Sequence, residues 1–178
     1  LINLVENLLA VTRIEQGRLN IQMSEDLIDD AIDEALRHVN RKRVEHKISV
    51  KRSDEYLLAK MDAKLIVQVL INIIDNAIKY TPKGSSIVIE SKKQGNNAIV
   101  SISDDGPGIS DEVKAHVFDM FYCGSNKIVD SRRSLGLGLS LCKSIINAHG
   151  GTISVFDNQP HGTIFRFTLP IGEVKIHE

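Results

Sequence analysis

The sequence predicts an α+β two-layer sandwich, with helices on one face of a mixed β-sheet. Three observations carry that prediction. Ile66, Val69, Leu70, Ile73, Ile74 and Ala77 recur at helical spacing between Asp62 and Tyr80. Ile87, Ile89 and Ser91 alternate with Val88 and Glu90, and the turn Gln94-Gly95-Asn96-Asn97 leads into a returning strand over Ala98–Ser103, which is the pattern of a hairpin. The four prolines, at 82, 107, 160 and 170, fall at element ends or in loops.

Taken in order, the first segment runs from Leu1 to about Asn20. Leu1, Leu4, Leu8 and Val11 repeat at spacings of three, four and three, a heptad-like seam, and Gly17 ends the pattern. It reads either as a core helix or as one helix of a bundle whose partner lies elsewhere. The chain begins mid-pattern without a Met, so it reads as an excised piece. A second helix is expected over Ser24–Val39, with Ser24 as its cap. Ile48–Lys51 and Tyr56–Lys60 read as short strands. Asp62 then caps the long helix, which ends near Thr81-Pro82. After the hairpin comes a short helix over Asp111–Phe121. Residues 122–134 form a polar loop of unusual length, the kind that serves as a lid or linker. A helix from about Leu135 to Ala148 and strands near Thr152–Phe156 and Thr163–Thr168 complete the chain.

Composition narrows the function. The chain has 178 residues, enough for one domain with an appendage. Lys plus Arg is 22 and Asp plus Glu is 23, a net charge of -1, which argues against a general nucleic-acid or anionic-membrane binder. Aromatic residues make up only 4%, so stacking platforms for single strands are not expected. Two cysteines make neither a disulfide framework nor a zinc site. No apolar run approaches the ~20 residues of a membrane-spanning helix, and no signal peptide is present.

Four pieces of sequence carry chemistry. On the long helix, Gln68, Asn72, Asn76 and Lys79 form a second stripe, roughly 130° around from the apolar one. Asparagine offers a carbonyl oxygen to a hard cation and an amide to phosphate, and Lys79 adds a point charge. In Asp104-Asp105-Gly106-Pro107-Gly108-Ile109, an acid at a strand end precedes glycines that allow close backbone approach to a ligand. Its carboxylate suits an exocyclic amine. In Ser134-Leu135-Gly136-Leu137-Gly138-Leu139, glycines open a helix whose N–H groups and dipole favour phosphate. It is neither a Walker motif nor a dinucleotide fingerprint. Gly162-Thr163 opens the last strand. Each piece alone also reads as an ordinary turn or solvated face.

Together and in this order, the pieces resemble the ATP-binding catalytic domain of sensor histidine kinases, in the wider family shared with gyrase, Hsp90 and MutL. Asn72–Thr81 resembles the N box, Asp104–Ile109 the first glycine box, Phe118–Phe121 the F box, Gly136–Leu139 the second glycine box and Gly162-Thr163 the third. Leu4–Gly17 is similar to the second helix of the family's dimerisation bundle. The stretch from Asn126 to Leu135 is similar to that of KdpD-type potassium-responsive kinases.

The resemblance implies the Bergerat fold and a division into a bundle remnant at 1–22, an ATP-binding catalytic domain at 23–172 and a tail at 173–178. It implies ATP and Mg²⁺ as cofactors, with Asn76 as the metal ligand and Asn72, Asn76 and Lys79 as the catalytic set. Tyr80 would contact the nucleotide, Asp104 would accept from the adenine amine, and Gly106, Gly108 and Ile109 would shape that pocket. Lys127, Gly136, Leu137, Gly138 and Leu139 would lie near the phosphates, and Thr163 near adenine. Ser134 departs from the family's usual glycine, which implies a stiffer lid hinge.

The implied partners are a response regulator and the phosphoacceptor bundle of a parent homodimer, with no nucleic acid. The parent would be anchored in the cell membrane, with this domain on its cytoplasmic side. Hydrolytic relatives carry a Glu where Asn72 stands, and an amide cannot act as a general base. Slow hydrolysis and phosphoryl transfer to protein are therefore expected. None of His38, His46, His116, His149, His161 and His177 has the family's acceptor context. The acceptor should therefore lie upstream of Leu1, and this piece should not autophosphorylate. His149 is expected at a helix end, His116 in the F-box helix and the rest at the surface. Cys123 and Cys142 read as structural thiols. Other classes weighed are a gyrase-like ATPase clamp, a serine-directed kinase and a degenerate nucleotide sensor.

Overall fold

The computed structural model describes residues 2–17, 20–40, 45–119 and 137–172. Twelve elements are described, in the order α1 (Ile2–Glu15), β1 (Ser24–Leu27), α2 (Ile28–Asn40), β2 (Lys47–Lys51), β3 (Leu58–Met61), α3 (Ala63–Lys79), β4 (Ser86–Gln94), β5 (Asn97–Asp104), α4 (Asp111–His116), α5 (Leu137–Ala148), β6 (Ile153–Asp157) and β7 (Thr163–Pro170). A five-stranded sheet has the order β2-β4-β5-β7-β6, with β2 parallel to β4 and every other pair antiparallel. Helices α2, α3 and α5 cover one face, and α1 packs on α5. The expected α+β sandwich is thus the observed one.

Period-two alternation builds the core. Along β5, Ala98, Val100, Ile102 and Asp104 alternate inward and are buried, and along β7 Thr163, Phe165, Phe167 and Leu169 do the same. The apolar stripe of α3, Ile66, Val69, Leu70, Ile73, Ile74 and Ala77, is buried against them as its spacing predicts. Asp104 is therefore not a solvated strand end. It occupies a core-facing register position, opposite Ile87 of β4.

Several local expectations are corrected. Ser24–Leu27 is a strand, not the first turn of a helix: it pairs antiparallel with β3, Ser24 opposite Met61 and Leu27 opposite Leu58. Ser24 Oγ donates to Asp26 Oδ2 at 2.5 Å instead of capping. The helix begins at Ile28, and a two-stranded pairing some thirty residues apart in sequence outweighs the local cap signal. The second short strand is Leu58–Met61 rather than Tyr56–Lys60, and Tyr56 is exposed. Asp62 stands at the N-cap of α3, yet its carboxylate makes no cap bond. It accepts instead from the Gln22 N–H at 3.2 Å, because the chain entering β1 lies beside it. Helix α4 ends at His116, with Ser110 Oγ accepting from the Val113 N–H at its start; Met120 and Phe121 lie outside the described residues.

Of the histidines, His149 stands where it was expected and His46 does not. His149 does sit at the end of α5, and it is buried: its Nδ1 donates to the Ile145 carbonyl at 2.7 Å and its Nε2 accepts from the Asp62 N–H at 3.0 Å. His46 is half-buried rather than on the surface, because its ring packs beside Thr81. The polar loop at 122–134, with Cys123, Lys127 and Ser134, lies outside the described residues, as do Gly136 and the tail 173–178.

Candidate nucleotide site

The site is built where the inward ends of β5 and β7 meet the C-terminal end of α3. Asp104 Oδ1 accepts from two backbone N–H groups, Gly106 at 3.0 Å and Thr163 at 3.2 Å. No described residue bonds Oδ2, so one carboxylate oxygen keeps its accepting capacity. Burial pushes the Asp104 carboxyl above the ordinary aspartate range. The two backbone N–H bonds oppose that rise, and the neighbouring Asp105 adds to it.

Glycines close the cradle. Gly162 has φ 118°, and a Cβ there would come within 1.9 Å of the Asp104 carbonyl oxygen. Gly108 has φ 76°, and its Cβ would stand 3.3 Å from the Gly162 carbonyl. Only glycine lets these two backbone segments touch. Gly106 has ordinary φ, but a Cβ there would meet the Thr81 methyl at 2.6 Å. Thr81, just past the end of α3, thus brings the N-box helix against the Asp104 loop. Ile109 is half-buried beside it.

The other expected residues lie along α3 and at the start of α5. Asn72 Oδ1 accepts from Gln68 Nε2 at 3.1 Å, and Asn72 Nδ2 points to the Gly138 carbonyl at 3.5 Å. The N-box stripe and the second glycine pair therefore meet. Gly138 has open space where a Cβ would be, and Leu139 packs half-buried on the core. Leu137 opens α5. Asn76 is half-buried, whereas Lys79 and Tyr80 are exposed at the end of α3. Beside Asn72, burial pushes the Cys142 thiol up to about 12, so it is inert, as expected of a structural thiol.

Three contributors escaped the sequence reading. Asn158 Nδ2 donates to the Asp104 carbonyl at 2.8 Å, His161 Nδ1 donates to the Gly106 carbonyl at 3.0 Å, and His46 Nε2 lies 2.8 Å from Thr81 Oγ1. All three act over 35 or more positions in sequence, and no local pattern marks them. A separate groove of about 730 Å³ runs along α2 and α3, lined by Asp26, Asp30, Glu34, Lys64, Gln68 and Asn72. It shares the Asn72 side of the site but not Asp104, and its acids would repel a triphosphate.

Residues 61–173 match the family model described as histidine kinase-, DNA gyrase B-, and HSP90-like ATPase. The chain is 40% identical over 170 residues to the sensor protein KdpD of Clostridium acetobutylicum, covering 96% of this chain and 19% of that protein. It spans about a fifth of the length of the curated KdpD relatives it matches. The mycobacterial sensor histidine kinase MprB superposes with a TM-score of 0.73 at 27% identity, over 84% of this chain and 98% of that one. Histidine kinase ThkA, solved in complex with the response regulator protein TrrA, matches with a TM-score of 0.73 at 27% identity, over 96% and 48%. A family match over more than half the chain, kinase relatives and a kinase-like fold agree, so this chain belongs to the histidine kinase-, DNA gyrase B- and HSP90-like ATPases, as an ATP-binding domain of the sensor histidine kinase kind.

Proposed function

We propose that the chain binds Mg-ATP and serves in transfer of the γ-phosphoryl group to a histidine outside these 178 residues, from which a response regulator takes it. The observation that carries the reading is the buried Asp104 carboxylate, whose one unbonded oxygen suits an amine hydrogen of adenine. In this reading Gly106, Gly108, Ile109 and Thr163 shape the base pocket. Asn72, Asn76, Lys79 and Tyr80 face the triphosphate with Leu137, Gly138 and Leu139. Lys79 sits at the exposed end of α3, where its ammonium can reach phosphate.

Among the described residues no cluster of three His, Cys, Asp or Glu side chains could cage a metal. Mg²⁺ does not need such a cage, since it is commonly held by one or two protein oxygens with phosphates and water. Asn76 would supply that oxygen. The ion, when bound, offsets phosphate charge. Asn72 holds an amide where a hydrolase needs a base, and both ends of that amide are engaged by Gln68 and Gly138. Water is therefore not activated there, and positioning for an in-line protein nucleophile remains.

Helix α1, with Ala10 and Ile14 on the core and Leu8 and Leu9 exposed, fits the second helix of a phosphoacceptor bundle in a parent homodimer. In this reading residues 1–22 are the bundle remnant, 23–172 the ATP-binding domain and 173–178 the tail; the pairing of β1 with β3, which begins at Ser24, supports the first boundary. Among the described residues no helix is long and apolar enough to cross a membrane. In this reading the parent is anchored in the cell membrane, with this domain on its cytoplasmic side.

Incubation with ATP labelled in the γ-phosphate tests the reading. The chain alone should take up no acid-labile label, and a bundle carrying the acceptor histidine should. Label on the chain alone, or steady hydrolysis near the typical enzyme rate of about 10 per second, would overturn it.

A further inference from the structure

We propose that His46, acting through Thr81, is a positioning residue for the base pocket, and that adenine recognition depends on its Nε2–H. The inference rests on the reading of Asp104 as the group that meets the base. Thr81 Oγ1 donates its one proton to the Ala77 carbonyl at 2.6 Å, so toward His46 it can only accept. The Thr81 carbonyl, 3.3 Å from the same ring nitrogen, can also only accept. The ring proton is therefore assigned to Nε2, shared between the two oxygens. Nδ1 is left as a bare acceptor, buried, and is the one such side-chain atom without a partner among the described residues. A leucine would fill this space without that cost. What the position gains from a histidine is the donor on the other nitrogen.

That donor has a direct line to the site. It holds the Thr81 side chain, whose methyl occupies the space beside the Gly106 α-carbon, and the Gly106 N–H bonds Asp104. The backbone reinforces the same path. Gly84 N–H donates to the Glu45 carbonyl and Lys47 N–H to the Ser85 carbonyl, both at 3.0 Å, so His46 is pinned beside the loop after α3. That loop is in turn bonded to the acid pair, Ser86 N–H donating to Asp105 Oδ1 at 2.8 Å. His161 and Asn158 brace the opposite side of the Asp104 loop. Losing His46 should therefore free the loop on the α3 side alone, shifting the carboxylate without dismantling the pocket.

The test compares adenosine and a non-hydrolysable Mg-ATP analogue, each competed against a fluorescent nucleotide on the 178-residue chain. His46→Leu should weaken both by the same factor, about fivefold. His46→Gln, which can present an amide donor, should restore both. Thr81→Ser keeps the hydroxyl but removes the methyl, and should weaken both as His46→Leu does. It carries the test if His46→Leu does not fold. Equal losses with rescue by glutamine support the proposal. Unchanged adenosine affinity in His46→Leu or Thr81→Ser, while Asp104→Asn weakens it roughly 10- to 100-fold, overturns the proposal and leaves the site reading standing. Loss confined to the triphosphate analogue overturns it too. If Asp104→Asn itself leaves adenosine binding unchanged, the site reading fails and the proposal falls with it.

Discussion

The two ends of the site are built differently. At the base end, Asp104 is buried, takes two backbone N–H bonds and is backed by glycines whose backbones touch. At the end that the proposed reading gives to the phosphates, side chains project from one helix, Asn72 Nδ2 reaches the Gly138 carbonyl of α5 only at 3.5 Å, and Gly138 has open space where a Cβ would be. The end proposed to meet the base is a mould made of main chain. The phosphate end is an adjustable set of amides and a cation. Under the proposed function the difference has a reason: a flat, uncharged base rewards a mould, whereas a charged chain that must move toward a second protein rewards groups with room to follow.

The largest effect should come from breaking the mould. Gly162→Ala forces φ 118° on an alanine and drives its Cβ onto the Asp104 carbonyl. Denaturant unfolding should show a loss of about 3 kcal/mol or more. A loss within the range of an ordinary surface change would mean that the backbone yields there, and the contrast would collapse. Next comes Asp104→Asn, expected to weaken adenine nucleotides roughly 10- to 100-fold by calorimetry.

The same variant should raise the melting temperature at neutral pH. Burial lifts the folded-state value of Asp104 above its ordinary 3.8, so ionising it costs the folded state. That cost is absent below the ordinary value, accumulates as pH rises through the lifted one and is complete above it. The advantage of Asp104→Asn in melting temperature should therefore be greatest at neutral pH and vanish below about pH 3.8. An advantage that grew on acidification would show that the charged form is stabilised instead.

Smaller effects belong to the phosphate end. Gly138→Ala, in a helix with no atom near its Cβ, should leave stability unchanged or raise it by roughly 0.5–1 kcal/mol. A marked drop in a thermal melt would reveal a second mould there. The smallest expected effect is on Cys142. With its thiol pushed up to about 12, it should resist alkylation at pH 8 in the native chain and react after unfolding, as peptide mass mapping can read. Rapid native labelling would mean that the packing of α3 on α5 opens readily.

Much of this was legible from local pattern, and some was not, for a physical reason. The inward parity of Ala98, Val100, Ile102 and Asp104, and of Thr163 with Phe165, follows from strand alternation alone. That parity puts the carboxylate and the threonine on the same face as the apolar residues of their strands. The 3.6-residue stripe of α3 likewise separates its core face from Asn72, Asn76 and Lys79. In contrast, Ser24–Leu27 shows a cap-like serine and acids, which favour a helix start, yet pairing with β3 made it a strand. A bonding partner more than thirty residues away leaves no trace in local propensity.

By itself, then, the sequence determined the elements with strong periodicity, the family of the chain and the kinds of group at the site. Only the tertiary structure decided how those groups are held: Asn158 and His161 on one side of the Asp104 loop, His46 and Thr81 on the other, and Asn72 tied to Gly138. Periodicity records which face of an element meets the core, and so survives in one dimension. Which polar atom meets which across two elements depends on packing geometry, which no spacing along the chain encodes.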